Sequence, residues 1–192
     1  MKAYIEITLL PDIDVPLNFL WQKVYQQLHL GFVEMKKEDG TQPIGVSLPK
    51  YDALAFTLGD KLRLFAHDSK MLEQFNAKFW LKKLSNYVHV TGVRDVPEKV
   101  KYGCFQRVQL KTNTLRLARR KAKRENIDLE NALLSFHKFD ERKTDVPFVV
   151  IKSVSTREMF RLFILYNEQD TQKQGDFSTY GLSDKTTVPI FQ

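Results

Sequence analysis

The chain has 192 residues, 43% of them hydrophobic and 28% charged, with one cysteine. That length makes one large domain or two small ones, a lone cysteine excludes an internal disulfide and any cysteine-based zinc site, and no apolar run approaches the roughly 20 residues that span a bilayer. The formal charge is +7, yet Lys99–Arg124 alone holds ten Lys or Arg and no acid, which leaves 20 basic against 23 acidic residues elsewhere.

The opening MKAYIEITLLPDID carries acids where a secretory leader would not, so a cytoplasmic protein with no membrane partner is expected. Tyr4–Leu9 alternates as a strand and stops at Pro11. Asp14 and Pro16 mark a helix start, and Leu17, Leu20, Trp21, Val24 and Leu28 recur at helical spacing up to an expected stop near Gly31, which puts His29 in the last turn. Ile44–Leu48 and Lys61–Phe65 read as strands. Asp68 or Ser69 can cap a second helix through Met71, Leu72, Phe75 and Phe79, and Tyr87–Val93 reads as a fourth strand. The order βαββαβ predicts an α+β protein whose residues 1–96 form a ferredoxin-like domain.

Val96-Pro97-Glu98 marks the boundary of a C-terminal α/β region, residues 97–192. Phe105–Leu110 predicts a strand leading into an arginine-rich helix over about 113–125, with Thr112 or Asn113 as its cap. At about 100° per residue, Arg116, Arg119, Arg120, Lys123 and Arg124 share one face and Leu115, Ala118 and Ala122 the other. A solvated basic face is the plain account of such a run. The missing acids argue against it, because exposed helices usually mix signs so that i,i+4 pairs form. Five outward cations suit the phosphates of a nucleic acid. Asp128–Phe136 predicts a short second helix, Phe148–Ile151 and Phe160–Leu165 predict strands that form a hairpin if Ser153–Arg157 turns, and Gly181 is a turn or close-approach residue. Disorder is expected only at the termini and around Asn167–Asp176.

Several of these segments together resemble one family. His29, the Arg107-Val108-Gln109 tripeptide before the arginine-rich helix, Ser153-Val154-Ser155-Thr156 followed by Phe160-Arg161-Leu162-Phe163-Ile164, Tyr180-Gly181-Leu182-Ser183, and Ile44-Gly45-Val46-Ser47-Leu48-Pro49 stand in the order found in the type I-F CRISPR RNA-processing endoribonucleases. The resemblance implies an enzyme that needs no metal or other cofactor, binds the repeat stem-loop of precursor CRISPR RNA and cuts at the 3′ base of the stem. The RNA's own 2′-hydroxyl is the nucleophile, leaving a 2′,3′-cyclic phosphate and a 5′-hydroxyl. It further implies that the protein stays on the product as a subunit of the type I-F surveillance complex.

By the same resemblance His29, Ser153 and Tyr180 are catalytic. Histidine titrates in the range that proton transfer at neutral pH requires. A helix C-terminus and a nearby phosphate would both favour the imidazolium, so whether His29 is base or acid stays open. Ser153 would hold the ribose with a hydroxyl that both donates and accepts, and Tyr180 would fix the geometry beside the histidine. Arg107 and Gln109 match residues that read base edges at the bottom of the stem; two apart on an extended segment, they project to one side. Phe160 matches the aromatic that stacks on the terminal base pair, and Ser155 and Thr156 match backbone contacts. Arg116, Arg119, Arg120, Lys123 and Arg124 would grip the phosphates. Lys123 and Glu125 depart from the family pattern, which favours arginine and a further basic residue there. A binding subunit that holds the hairpin without cutting is the alternative, differing at His29 and Ser153 and not at the helix; a DNA-binding regulator rests on the basic helix alone.

Overall fold

In the computed structural model, described here for residues 1–109, 114–135, 146–153 and 156–191 and for the backbone alone at 114–117, helix and strand are mixed as expected. The alternation of Ile5, Ile7 and Leu9 with Glu6 and Thr8 makes Ala3–Leu9 a strand, β1, whose apolar side is buried. Along one edge of β1 lies β3 (Lys61–Ala66), with Ile5 opposite Leu64 and Ile7 opposite Leu62, and β2 (Gly45–Ser47) lies outside β3. Along the other edge, β4 (Val88–Val90) pairs with Ile7–Leu9 and β5 (Arg94–Asp95) with Ala3–Tyr4. The order is β2-β3-β1-β4 and every pair is antiparallel. The fourth strand is shorter than the expected Tyr87–Val93, because beyond Val90 the Thr91 hydroxyl accepts from the Glu6 N–H at 3.0 Å.

Helix α1 (Leu17–Glu34) buries Leu20, Trp21, Val24, Leu28 and Phe32, the period the sequence predicts. It does not stop at Gly31. That glycine faces Phe75 and Trp80, where a Cβ would come within 2.7 Å of both rings, so its role is close packing and not termination. His29 therefore lies before the last turn, contrary to expectation. The second predicted helix is also divided. Asp68 caps α2 (Ser69–Phe75) by accepting from the Met71 N–H at 2.9 Å. Asn76 then takes a left-handed conformation (φ +47°), ending α2, and its Oδ1 accepts from the Phe79 N–H to begin α3 (Ala77–Trp80). A 3-10 turn, Lys82–Leu84, follows.

A second antiparallel sheet has the order β7-β8-β6-β9, from β6 (Lys101–Val108), β7 (Phe148–Lys152), β8 (Met159–Gln169) and β9 (Val188–Ile190). β7 and β8 form the expected hairpin. Its turn is closed by the Ser153 N–H on the Glu158 carbonyl (2.8 Å) and the Arg157 N–H on the Ser153 carbonyl (3.0 Å), with Arg157 at φ +59°. Of Asn167–Asp176, where disorder is expected, β8 takes up the residues to Gln169, and the irregular remainder is tied to Thr187, whose N–H donates to the Lys173 carbonyl (3.0 Å) and whose hydroxyl accepts from the Lys173 N–H (2.9 Å). One core joins Ile5, Ile7, Leu62 and Leu64 of the first sheet, Val24 and Leu28 of α1, and Ile151, Leu162 and Ile164 of the second.

Residues 1–108 and 146–192 form one compact unit holding both sheets; residues 109–145 form a second. In the second, α4 (Thr114–Glu125) packs on α5 (Leu129–Leu134), with Ala118 and Ala132 fully buried and the Lys121 ammonium donating to the Ser135 hydroxyl at 2.7 Å. Asp128 caps α5 on the Glu130 N–H as expected. The proposed caps of α4, Thr112 and Asn113, lie outside the described residues, as does Phe136.

Candidate active site

The site begins with two residues of α1 one turn apart. Tyr25 and His29, at i and i+4, share a face, and both bond successive carbonyls of the 177–182 segment. The Tyr25 hydroxyl donates to the Tyr180 carbonyl at 2.9 Å, and His29 Nδ1 lies 2.7 Å from the Thr179 carbonyl. Both side chains are buried. Full burial, with the Tyr180 phenol adding to it, drives the Tyr25 phenol far above its ordinary value, so it remains a neutral donor.

The segment that receives these bonds is strapped from a second direction. Gln42, wholly buried, donates its amide to the Ser178 carbonyl (2.9 Å) and the Ile44 carbonyl (2.7 Å) and accepts from the Ile44 N–H (2.8 Å). Its backbone exchanges two bonds with Phe177, and the Val46 N–H donates to the Gly181 carbonyl at 2.8 Å. Gly181 stands at φ +72° with its α-carbon so near Val46 that a Cβ would overlap that side chain. Turn and close approach are thus both required at Gly181.

Thr179's carbonyl can only accept, so His29 Nδ1 carries the proton and the neutral ring keeps its lone pair on Nε2. Burial holds the His29 pKa below the ordinary imidazole value of 6.5; the Thr179 carbonyl opposes this shift and the Arg107 cation adds to it. The direction is opposite to the one a helix C-terminus would give, consistent with His29 lying inside α1. In the free protein at neutral pH, His29 is therefore uncharged.

Three more side chains extend from this ring in a row. Tyr180 stacks on His29 with ring centroids 4.5 Å apart and planes 10° from parallel. The exposed Arg107 of β6 lies 5.2 Å from the Tyr180 ring and 5.4 Å from the Phe160 ring of β8. Phe160 meets Tyr180 edge-on at 6.3 Å. A guanidinium held between two aromatic faces is pre-oriented with its N–H fork still available.

Four of the sequence-predicted residues, His29, Tyr180, Arg107 and Phe160, are thus joined by direct contacts. Ser153 sits at the end of β7, where the Lys152 N–H donates to Gln26 of α1 at 2.8 Å; it lines a surface cleft with Gln22, Gln26 and Arg157, one helical turn before His29. Its hydroxyl accepts from the Thr156 N–H at 3.2 Å, and Thr156 is exposed. Ser155 lies outside the described residues. Gln109 is exposed and belongs to the second unit. On α4, Arg119, Arg120, Lys123 and Arg124 are exposed, and Arg124 meets Glu125 at 2.6 Å; the backbone of Arg116 continues the same helix. Among the described residues, no three His, Cys, Asp or Glu side chains group to hold a metal ion.

Tyr25 and Gln42 are the residues that sequence reasoning missed. The i,i+4 spacing of Tyr25 with His29 was a usable signal. Gln42, in a polar loop before β2, offers none.

Residues 4–191 match the family described as CRISPR-associated protein (Cas_Csy4). Two curated relatives, each named CRISPR-associated endonuclease Cas6/Csy4, align over all 192 residues and over their own full length. The one from Escherichia coli (strain UTI89 / UPEC) is 33% identical and the one from Pseudomonas aeruginosa (strain UCBPP-PA14) 35%. Among solved structures, a protein titled as a RAMP protein binding different RNA substrates aligns over both full chains at 11% identity with a TM-score of 0.36, too slight a likeness to bear on the fold. The family match over nearly the whole chain and the two full-length relatives give one answer: the chain belongs to the Cas_Csy4 family of CRISPR-associated endonucleases.

Proposed function

We propose that this endonuclease binds the repeat stem-loop of precursor CRISPR RNA and cuts at the 3′ base of the stem through the RNA's own 2′-hydroxyl. The observation that carries the reading is His29, neutral, buried and bonded through Nδ1, with Nε2 left to take a proton. In the first step the 2′-hydroxyl proton passes to Nε2 as the O2′–P bond forms. The P–O5′ bond breaks, the leaving 5′-oxygen takes a proton from water, His29 later returns its own proton to solvent, and the products are a 2′,3′-cyclic phosphate and a 5′-hydroxyl. The nucleophile and the phosphate belong to one molecule, so holding the ribose and phosphate in line supplies much of the catalysis.

Each remaining residue has a part in this reading. Tyr180 holds the imidazole plane by stacking on it. Ser153 holds the ribose beside the 2′-hydroxyl, and Thr156 with Ser155 contacts the backbone. Arg107 and Gln109 read base edges at the bottom of the stem, and Phe160 caps the terminal base pair. Arg116, Arg119, Arg120, Lys123 and Arg124 supply phosphate affinity that falls as salt rises. The order β2-β3-β1-β4, antiparallel throughout, is what a ferredoxin-like domain would have, and the strands of the two sheets divide between residues 3–95 and 101–190, which supports a division near residue 96. The protein then stays on the mature guide RNA in the cytoplasm with the other subunits of the type I-F surveillance complex.

The test is incubation with the repeat RNA in EDTA, followed by analysis of the new 3′ end. A cyclic phosphate on the upstream fragment is expected. A free 3′-hydroxyl, or cutting that requires added metal, overturns the mechanism; tight binding with no cut marks a hairpin-binding subunit.

A further inference from the structure

A second basic segment lies apart from the arginine-rich helix. From Gln74 to Arg94 the chain has no acid, and within that stretch Lys78, Lys82 and Lys83 are all exposed. Ala77 and Leu81 are buried and Leu84 half-buried, a 4-then-3 spacing that turns one face of α3 and the following 3-10 turn inward. The outward face carries the three lysines and, between them, Phe79, which is 64% exposed. Among the described residues none of the three lysines enters an ion pair. Phe79 is also rigidly presented: its N–H is held by Asn76, and its ring meets Trp80 edge-on at 5.5 Å. Trp80 is fixed in turn by a bond from Nε1 to the Phe75 carbonyl (3.1 Å) and by its packing on Gly31 of α1, two residues beyond His29.

We propose that this face is a binding site for single-stranded RNA, namely the segment immediately 3′ of the scissile phosphate. The inference rests on the function proposed above. An exposed aromatic ring among unpaired cations suits a strand whose bases are unstacked and whose phosphates are close by. A duplex keeps its bases inside and offers the ring no face, and a purely acidic peptide would use the lysines and leave the ring idle. In the proposed function the cut lies at the 3′ base of the stem, so the RNA past it is single-stranded and free to cross to this face: Phe79 packs on Trp80, and Trp80 on Gly31, two residues along α1 from His29 and about 200° around it.

The test measures affinity for three RNAs carrying a 2′-deoxy scissile nucleotide: the bare repeat hairpin, the hairpin with a short single-stranded 3′ extension, and the hairpin with a 5′ extension of equal length. The 3′ extension is expected to tighten binding by about tenfold, as one stacked base and a few phosphate contacts do. Phe79→Ala removes most of that gain without changing affinity for the bare hairpin, and Phe79→Tyr retains it. Replacing Lys78, Lys82 and Lys83 by Gln lowers the salt slope of the extended RNA by about 2. Equal affinity of the wild type for the bare and 3′-extended hairpins, a gain given by the 5′ extension instead, or a Phe79→Ala variant unchanged toward every RNA overturns the inference and leaves the face to a protein partner. Failure of the wild type to bind even the bare hairpin overturns the underlying function as well, and so is told apart from failure of this site alone.

Discussion

In the proposed reaction His29 serves as a base, and burial and two neighbours act on it in opposing directions. Burial and the Arg107 cation hold its pKa below 6.5, while the Thr179 carbonyl fixes the tautomer and partly restores basicity. A lowered pKa means that the neutral, proton-accepting form persists to lower pH than for a free imidazole. The rate of cleavage at protein and RNA concentrations well below saturation should therefore rise with pH along a limb whose midpoint lies below 6.5, as read from single-turnover rates across pH; a midpoint at or above that value contradicts the assignment. His29→Ala should abolish cutting while hairpin affinity stays within a few-fold, measured by RNA binding at equilibrium; a large loss of affinity would mark His29 as structural. Tyr25→Phe leaves the Tyr180 carbonyl without its donor in a buried place, a loss of about 1–3 kcal/mol in an unmade bond. Its consequence should fall on the cleavage rate at saturating protein more than on affinity, because the strap it holds carries the histidine's partner.

At the scale of elements, the strap of residues 177–182 and the basic helix do separate work. Gly181→Ala places a Cβ against Val46 at a φ of +72°, so the unfolding temperature should fall by several degrees, as expected of about 2 kcal/mol of strain and overlap in one domain. Unchanged thermal unfolding would mean the strap yields freely. On α4 the exposed Arg120 predicts a different pattern: Arg120→Ala should weaken hairpin binding and flatten its salt dependence, with little change in the single-turnover rate at saturating protein. Most elements were legible because each rests on local chemistry. The alternation in β1, the apolar period of α1 and the caps Asp68 and Asp128 all appear where the sequence puts them. Two breaks were not. Gly31 reads as a stop and is a packing contact, and Asn76 splits a periodic run because its side chain both ends one helix and starts the next. In each case the deciding partner is distant in sequence or the backbone choice is one that periodicity does not register.

Over the whole molecule, charge and chemistry occupy different parts of the chain. The ten cations of Lys99–Arg124 lie in a stretch that contributes Arg107 to the group around His29 and puts the others just before β6, on it, and in the residues that follow. The grouping of His29, Arg107, Phe160 and Tyr180 was legible only through the order of the motifs, since they come from α1, β6, β8 and the strap, and no local pattern unites them. What the motifs left unseen is the scaffolding. Tyr25 looks like one more core position of an apolar helix and Gln42 like a loop residue, yet their bonds to the strap fix Tyr180 and the Thr179 carbonyl against His29. The central claim is that the attacking oxygen belongs to the RNA and gives its proton to His29. A repeat hairpin with a single 2′-deoxy substitution at the scissile nucleotide tests it most directly. The account predicts binding as tight as that of the all-ribose hairpin and no cleavage at any pH, whereas cleavage of the deoxy substrate would show that the nucleophile comes from elsewhere.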